Sequence, residues 1–297
     1  MVEKIKHLKR ERNAIILAHN YQLPEVQDVA DYTGDSLGLS IQASETDAEV
    51  IVFCGVHFMA ETAALICPDK LVLEPHRNAG CLMADMITVR QLREWKQRHP
   101  DAAVVCYVNS TAEIKAESDM VCTSANSVKV VQSIPEDKTI LFVPDKSLGD
   151  WTAKQSGREL MLWEGYCPTH HRILTEDIRK ARAAHPDAVV MVHPECTADV
   201  IALADEVFST GGMGRYAAES AAREMIVGTE IGLLHRLRKE NPGKTFYPAS
   251  PLADCVNMKL NTLEKILWAL EDEVHEVRIP EELAERARRP IERMLAL

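Results

Sequence analysis

The fold is decided by the stretch Ala14-Ile-Ile-Leu-Ala-His-Asn-Tyr21, an apolar run that ends in polar residues. The same pattern returns twice, as Ala103-Val-Val-Cys-Tyr-Val-Asn-Ser110 and as Ala188-Val-Val-Met-Val-His-Pro-Glu195. The tripeptide His-Pro-Asp precedes the second and third runs, at His99 and His185, and is typical of a turn that leads into a strand. Similarity at a long, nearly constant spacing predicts a fold built from repeats.

Other features recur with the same period. An aspartate followed by small residues recurs at Asp31, Asp119 and Asp205. The two spacings are 88 and 86 positions. A third strand of each unit follows, at Val50–Gly55, Thr139–Pro144 and Glu224–Gly228. A helix-like segment comes next, for example Thr229–Lys239. Strands that alternate with helices indicate a parallel sheet with helices on both faces.

We therefore predict an α/β fold of three repeated modules, each a small parallel sheet flanked by helices, arranged around a pseudo-threefold axis. The module boundaries are expected at residues 1–84, 85–170 and 171–297. The last module carries extra C-terminal helices that are able to pack back on the first. In this tail the sequence predicts a helix over Thr262–Asp272, a short strand over Val274–Arg278 and a helix that begins near Pro280 and has a kink or a break at Pro290.

Composition excludes several classes of protein. A net charge of −11 argues against binding to nucleic acid, which needs clustered Lys and Arg. No apolar run approaches the roughly 20 residues that cross a bilayer, and the first residues lack the apolar core of a signal peptide. We expect a cytoplasmic protein with no membrane partner. Its eight cysteines are therefore expected to be thiols.

Polar side chains follow the predicted strands at the edge where parallel sheets bind ligands. They are His19, Tyr21, Tyr107, Asn109, His193 and Glu195. Helices should begin beside them and present backbone N–H groups to anions, with hydroxyl donors at Ser36, Ser124, Ser209 and Thr210. The sequence thus predicts one central pocket lined by all three modules, with Phe58, Met59 and Met258 as candidate wall residues.

Each module closes with a cysteine. Cys81, Cys167 and Cys255 are separated by 86 and 88 positions, which matches the repeat. Thiolates suit iron–sulfur clusters and zinc, but structural zinc needs a fourth ligand and usually takes Cys-x-x-Cys pairs, which this chain lacks. Spacing alone leaves ligation and simple packing about equally supported. Packing is the expected role of Cys54, Cys67, Cys106, Cys122 and Cys196.

A set of short motifs across most of the chain resembles those of the quinolinate synthase family. They are Ala18-His-Asn-Tyr21, Gly34-Asp-Ser36, Tyr107-Val-Asn-Ser-Thr111, Thr123-Ser-Ala-Asn126, Gly165-Tyr-Cys-Pro-Thr-His170, Val192-His-Pro-Glu-Cys196, Ser209-Thr-Gly-Gly-Met213, Gly228-Thr-Glu-Ile-Gly232 and Cys255-Val-Asn-Met258. One such motif is a weak signal, but the ordered set is specific.

The resemblance implies a reaction and a cofactor. The reaction is the condensation of iminoaspartate with dihydroxyacetone phosphate, with loss of phosphate and water, to give quinolinate for NAD biosynthesis. Iminoaspartate would come from an L-aspartate-oxidising enzyme. The cofactor is a [4Fe–4S] cluster held by the cysteines that match Cys81, Cys167 and Cys255, with one open iron as a Lewis acid. The resemblance also implies a triangular arrangement of three α/β domains.

Roles for the polar residues also come from this resemblance. Glu195 is expected to be the general acid or base, with His193 as its tuning partner. Tyr21 and Tyr107 are expected to donate protons or to orient the substrate. The expected substrate-binding residues are His19, Ser36, Asn109, Ser124, His170, Ser209 and Thr210. The chain departs from some family members because it lacks their second cysteine near Cys255, so redox regulation by such a pair is not supported.

Two alternatives stay open at this point. One is a hydro-lyase that acts on another substrate with the same kind of open-iron cluster. The other is a non-catalytic iron or oxygen sensor, a class that usually carries a nucleic-acid-binding element. The acidic net charge of −11 disfavours the sensor.

Overall fold

A computed structural model describes residues 1–297 and contains three parallel sheets of four strands each. In every sheet the strand order is second, first, third, fourth. The predicted α/β class and its three repeated sheets are confirmed, while the pseudo-threefold axis stays a prediction. The first sheet and its helices comprise α1 (Val2–Glu11), β1 (Ala14–His19), α2 (Pro24–Val29), β2 (Tyr32–Gly34), α3 (Ser36–Glu45), β3 (Val50–Cys54), α4 (His57–Ile66) and β4 (Leu71–Leu73).

The second and third sheets repeat this order of elements. The second comprises α5 (Val89–Arg98), β5 (Ala103–Tyr107), α6 (Ala112–Ala116), β6 (Met120–Cys122), α7 (Ser127–Ser133), β7 (Ile140–Val143), α8 (Lys146–Ser156) and β8 (Met161–Leu162). The third comprises α9 (Thr175–Ala184), β9 (Val189–Val192), α10 (Ala198–Ile201), β10 (Glu206–Val207), α11 (Thr210–Glu219), β11 (Glu224–Gly228), α12 (Leu233–Glu240) and β12 (Thr245–Pro248). Two helices complete the chain, α13 (Leu263–Asp272) and α14 (Glu281–Leu295).

The three aspartates that mark the repeat hold the first two strands of each sheet together. The carboxylate of Asp31 accepts a hydrogen bond of 2.7 Å from the backbone N–H of Ile16 in β1. Asp119 and Asp205 do the same for β5 and β9, at 2.8 Å each. Each aspartate N–H also donates to the carbonyl of that same strand residue. Their periodic spacing therefore has a structural cause.

The apolar residues form four separate clusters. The largest has 41 buried residues and joins side chains around the first and second sheets with residues of α14. A smaller cluster packs α1 and α13 against the first sheet. The third sheet has one cluster on each face, of 10 and 9 buried residues, and every buried member lies between Ile173 and Ala253. The third sheet thus shares no buried apolar residue with the other two.

The C-terminal tail differs from its prediction in two respects. The strand expected at Val274–Arg278 is wrong, because only one isolated bridge forms there, between Leu73 and Glu276. The helix α14 also continues through Pro290 without a break. Its buried face, which includes Ala287 and Ile291, belongs to the largest apolar cluster, and this burial offsets the backbone hydrogen bond that proline cannot make. No helix of the structure has both the length and the apolar character needed to cross a membrane.

Candidate active site

The three cysteine loops are built in the same way. Each cysteine lies three residues before a short 3-10 turn, and these turns are Ala84–Met86, His170–Arg172 and Met258–Leu260. A backbone N–H from just beyond the third strand of each sheet donates to the carbonyl two residues before the cysteine. The donors are His57, Lys146 and Ile231, which bond the carbonyls of Ala79, Gly165 and Ala253 at 2.7, 2.8 and 2.9 Å. Repeated sequence thus gives repeated loop geometry.

Side chains tie these loops to one another. Asn257, in the third loop, donates to the carbonyl of Gly80 in the first loop at 2.7 Å. The guanidinium of Arg172, beside the second loop, donates a long hydrogen bond of 3.4 Å to the carbonyl of Asp254. The loops therefore enclose one cavity of about 100 Å³, and Cys81, Cys167 and Cys255 all line it.

Most predicted site residues line this same cavity. Besides the cysteines they are His19, Tyr21, Ser36, Tyr107, Asn109, Ser124, His170, His193, Glu195 and Thr210, with the apolar wall residues Phe58, Met59 and Met258. Ser209 is not among the lining residues. Its hydroxyl caps α11 by accepting from the N–H of Gly212 at 3.2 Å, and it donates to Asp35 at 3.3 Å. An N-cap side chain that turns to its own helix has no free hydroxyl for the cavity.

Glu195 is the centre of the polar network. Tyr107 donates to its Oε1 at 2.5 Å, and Asn109 donates to the same oxygen at 3.4 Å. His170 Nδ1 lies 2.7 Å from its Oε2. Burial alone would raise the pKa of Glu195, but the facing imidazoles of His170 and His193 and the bond from Tyr107 outweigh it and hold that pKa well below its usual range. Glu195 is therefore a buried, ionised carboxylate at the wall of the cavity.

His19 and His193 are oriented by the same backbone device. His19 Nδ1 accepts from the N–H of Tyr21 at 3.2 Å, and His193 Nδ1 accepts from the N–H of Glu195 at 3.3 Å. Burial lowers the pKa of each histidine to about 3, so both rings are neutral. With Nδ1 as the acceptor, Nε2 carries the proton; that of His193 faces Ser124 Oγ at 3.1 Å. Of the two imidazoles that face Glu195, His170 is the nearer, with Nδ1 at 2.7 Å from Oε2 against 3.9 Å for Nδ1 of His193.

Thr229 is a site residue that the sequence did not indicate. Its hydroxyl shares a hydrogen bond of 2.7 Å with Tyr21 and lies 2.8 Å from His170 Nε2. The helix predicted over Thr229–Lys239 begins only at Leu233, because the residues before it form a turn at the carboxyl end of β11. That position, directly after the third strand of a sheet, was the one available signal. Burial raises the pKa of Tyr21 well above its ordinary value, so the phenol stays protonated.

The cysteines divide into two groups. Cys54, Cys67, Cys106, Cys122 and Cys196 are buried and lie in the apolar clusters, as the sequence predicted. The three that line the cavity are only partly buried and form no disulfide. Desolvation raises the pKa of all three thiols, that of Cys81 to about 12. Cys167 Sγ also lies close to His170 and Glu195, with the ligand atoms of these three within 4.8 Å of one another.

These features are those of an enzyme site with a potential metal centre. Thiols from three loops face one cavity, beside a buried carboxylate with phenol and imidazole partners, at the carboxyl ends of parallel strands. Soft sulfur donors without other partners fit a transition-metal cofactor. Comparison with known proteins identifies the family.

The model of the family described as "Quinolinate synthetase A protein" matches residues 3–296. The chain is 58% identical over 292 residues to the quinolinate synthase of Dehalococcoides mccartyi strain CBDB1, covering 98% of this chain and 96% of that protein. It is 54% identical over 297 residues to the one of Thermodesulfovibrio yellowstonii, covering 100% and 98%. The relative in Methanosarcina barkeri is 52% identical over 297 residues, covering 100% and 97%. The chain belongs to the quinolinate synthase family of enzymes.

Proposed function

We propose that this enzyme forms quinolinate for NAD biosynthesis. It would condense iminoaspartate with dihydroxyacetone phosphate and release phosphate and water. The name shared by its relatives supports the product. The observation that carries the proposal is the single cavity in which three free thiols meet the Glu195 network. We also propose that an L-aspartate-oxidising enzyme supplies the iminoaspartate, and the cytoplasmic location stays a prediction.

We propose that Cys81, Cys167 and Cys255 hold a [4Fe–4S] cluster. The fit rests on three soft donors from equivalent loops, none of which has another covalent partner. When bound by three thiolates, such a cluster supplies one iron with an open position, which acts as a Lewis acid on a substrate oxygen. The raised pKa of the buried thiols means that they release protons when metal binds.

Glu195 is the group best placed to move protons. Joining the two proposed substrates requires proton removal from carbon or nitrogen next to a carbonyl or imine, and a buried, ionised carboxylate at the cavity wall is a base for that step. Its low pKa makes it a weak base alone. Tyr107, which donates to it at 2.5 Å, keeps a raised pKa through burial and is the adjacent proton source.

Tyr21 is the second protonated phenol at the cavity. The shared hydrogen bond with Thr229 orients its hydroxyl, and its ring lies edge-on to His19 with centroids 4.5 Å apart. A protonated phenol fixed in this way donates to a substrate oxygen as charge develops there. Tyr21 and Tyr107 thus approach the cavity from the first and second sheets, while Glu195 follows the third.

The remaining polar residues suit anionic substrates. Ser36 and Thr210 are the first residues of α3 and α11, where backbone N–H groups and the helix dipole favour carboxylate or phosphate. The neutral His19 and the amide of Asn109 add hydrogen-bond donors without adding net charge. We propose that these residues, with Ser124, His170 and Ser209, orient the two substrates; Ser209 would act through its contact with Asp35, a lining residue.

The direct test is an anaerobic assay with the reconstituted protein. Iminoaspartate and dihydroxyacetone phosphate are mixed with it, and quinolinate is measured by chromatography. Formation of quinolinate is the expected result. Protein that holds four irons yet yields none would contradict the proposed reaction and favour a hydro-lyase for another substrate.

Cluster ligation is tested separately with Cys167→Ser. We expect loss of the visible iron–sulfur absorbance and of bound iron, because a hydroxyl does not replace a thiolate as a ligand. Cys196→Ser is the matched control, since Cys196 is buried in the third sheet's apolar cluster, and it should retain the cluster. Retention of all four irons in Cys167→Ser would exclude Cys167 as a ligand.

A further inference from the structure

An ion pair between a fully buried carboxylate, Glu230, and a partly buried ammonium, Lys259, lies next to the third cysteine loop. Lys259 Nζ is 2.8 Å from Glu230 Oε1, and the Glu230 side chain is 0% exposed. Glu230 follows β11, whereas Lys259 lies in the 3-10 turn after Cys255. Neither residue lines the cavity, so neither touches a substrate there.

Each member of the pair holds a different part of the site. Glu230 Oε1 accepts a hydrogen bond of 3.1 Å from the backbone N–H of Cys255. Lys259 Nζ donates to the backbone carbonyl of Tyr21, which belongs to the first sheet. The pair therefore connects a candidate metal ligand to the backbone of a residue that faces the substrate.

The space around the pair is closed. Glu230 Oε2 accepts from the N–H of Gly232 at 2.7 Å. A Cβ added to Gly232 would lie 2.8 Å from Glu230 Oε2, from Lys259 Nζ and from the carbonyl carbon of Tyr21. Glycine is therefore the residue that fits this close approach. Lys259 Nζ also lies 3.8 Å from Asp254 Oδ1, on the residue before Cys255.

Stability alone is a poor explanation for this pair. Removing two charges from water costs as much as or more than their attraction returns, and an apolar pair of similar volume is often as stable. A buried pair that also bonds two backbone groups has a second effect, because it fixes those groups relative to each other. Mutation of a residue that supports a metal ligand commonly lowers metal affinity or activity about 10- to 100-fold.

We propose that Glu230 and Lys259 are positioning residues that set the Cys255 loop against Tyr21. The distance between Cys255 and the Tyr21 phenol is then set before metal or substrate binds. The part that concerns the cluster rests on the proposed function. The part that concerns the Cys255 loop does not, since it follows from contacts within the chain itself.

The first test uses Lys259→Met and the double variant Glu230→Gln/Lys259→Met, with Lys70→Met as control. Lys70 is also partly buried and donates to two backbone carbonyls, those of Thr46 and Ala48, at 2.5 and 2.7 Å. It does not line the cavity. Alkylation of Cys255 in the metal-free proteins is followed by mass spectrometry. We expect faster labelling of Cys255 in both Lys259 variants, and unchanged labelling of Cys81 in all of them.

The second measurement is loss of iron–sulfur absorbance to a chelator under anaerobic conditions. We expect loss about 10- to 100-fold faster in both Lys259 variants and unchanged in Lys70→Met. The double variant leaves no unpaired buried charge, so its folding is less affected. If it matched the wild-type protein in labelling and in cluster retention, the pair would only balance its own charges and the proposal would be wrong. If wild-type protein bound no cluster, the proposed function would fail. The labelling test would still show whether Glu230 and Lys259 hold the Cys255 loop in place.

Discussion

The contact between the first two sheets differs in kind from the contacts of the third. The first and second sheets share one apolar cluster of 41 buried residues, which α14 completes. The third sheet has its own clusters and meets the others mainly through polar side chains. Examples are the hydrogen bonds from Tyr107 to Glu195, between Tyr21 and Thr229, and from Asn20 to Thr210.

The difference separates stability from chemistry within one chain. Apolar burial is non-directional and grows with area, so the shared cluster is expected to carry most of the stability of the first two sheets. Hydrogen bonds are directional and contribute little net energy, but they fix distances between groups. The polar contacts of the third sheet include several of the groups expected to act on the substrate. Four substitutions test this separation.

The largest expected effect is on turnover in Glu195→Gln. Glutamine keeps the shape of the side chain but cannot accept a proton as a base, so we expect kcat to fall about 100- to 10,000-fold. Bound iron should stay the same. Glu61→Gln replaces another buried carboxylate that lies outside the cavity, and it should keep full turnover. Wild-type rates in Glu195→Gln would remove Glu195 from the mechanism.

Ile291→Ala, in the shared apolar cluster, is expected to lower stability and to leave turnover unchanged. Ile291 is 0% exposed in α14, and a cavity there should lower the free energy of unfolding by about 2–5 kcal/mol. Turnover of the folded enzyme should not change. Hydrogen exchange should become faster in the first and second sheets and stay the same in the third. Equal acceleration in all three sheets would show that the clusters are not energetically separate.

Thr229→Val removes one hydroxyl from the polar contact and keeps its volume. His170 Nε2 and the Tyr21 hydroxyl then lose their partner, which should cost about 1–3 kcal/mol of unfolding free energy and also reduce kcat. Thr152→Val is the matched control, because Thr152 donates to Ser127 at 2.8 Å inside the second sheet's helices. The control should lose stability without losing activity. If both variants lowered kcat alike, the Thr229 contact would have no special role.

The smallest effect is expected at an exposed ion pair between a helix of the first sheet and a helix of the third. There, Asp28 Oδ1 of α2 lies 2.6 Å from Lys239 Nζ of α12. Hydrogen bonds from Lys239 and His235 lower the pKa of Asp28 below its ordinary value. The stabilisation is therefore complete above about pH 4 and is lost as the pH falls through the lowered pKa. Because Asp28 is half exposed, Asp28→Asn should cost less than about 1 kcal/mol in a denaturant titration at pH 7. A larger loss would mean that this edge stabilises more than an exposed pair can.

The repeated elements could be predicted because their causes are local. The runs at Ala14, Ala103 and Ala188 became the central strands β1, β5 and β9, since an uninterrupted apolar run is what a sheet covered on both faces requires. The fourth strand of each sheet was not predicted, because runs as short as Leu71–Leu73 carry no periodicity. The helix does not break at Pro290, because packing against neighbouring elements overrides a local helix-breaking signal.

Residues at the site were predictable where their position in the repeat implies exposure to the cavity. Ser209 and Thr210 looked equivalent in the sequence, but the first is the N-cap and bonds its own helix, while the second lines the cavity. Thr229 and Glu230 lie in the motif Gly228-Thr-Glu-Ile-Gly232, but the sequence indicated no site role for them or for Lys259. Their contacts reach residues far away in the chain, for instance Tyr21, which is 208 positions from Thr229.

The sequence by itself determined the number of repeats, the alternation of strand and helix, and the cysteine that ends each repeat, because these depend on residues near one another in the chain. Only the tertiary structure decided which side chains from different sheets meet, and so which carboxylate is ionised, which histidines are neutral and where apolar or polar contacts join the sheets. Those properties depend on burial and on distances between remote residues, which local patterns do not contain.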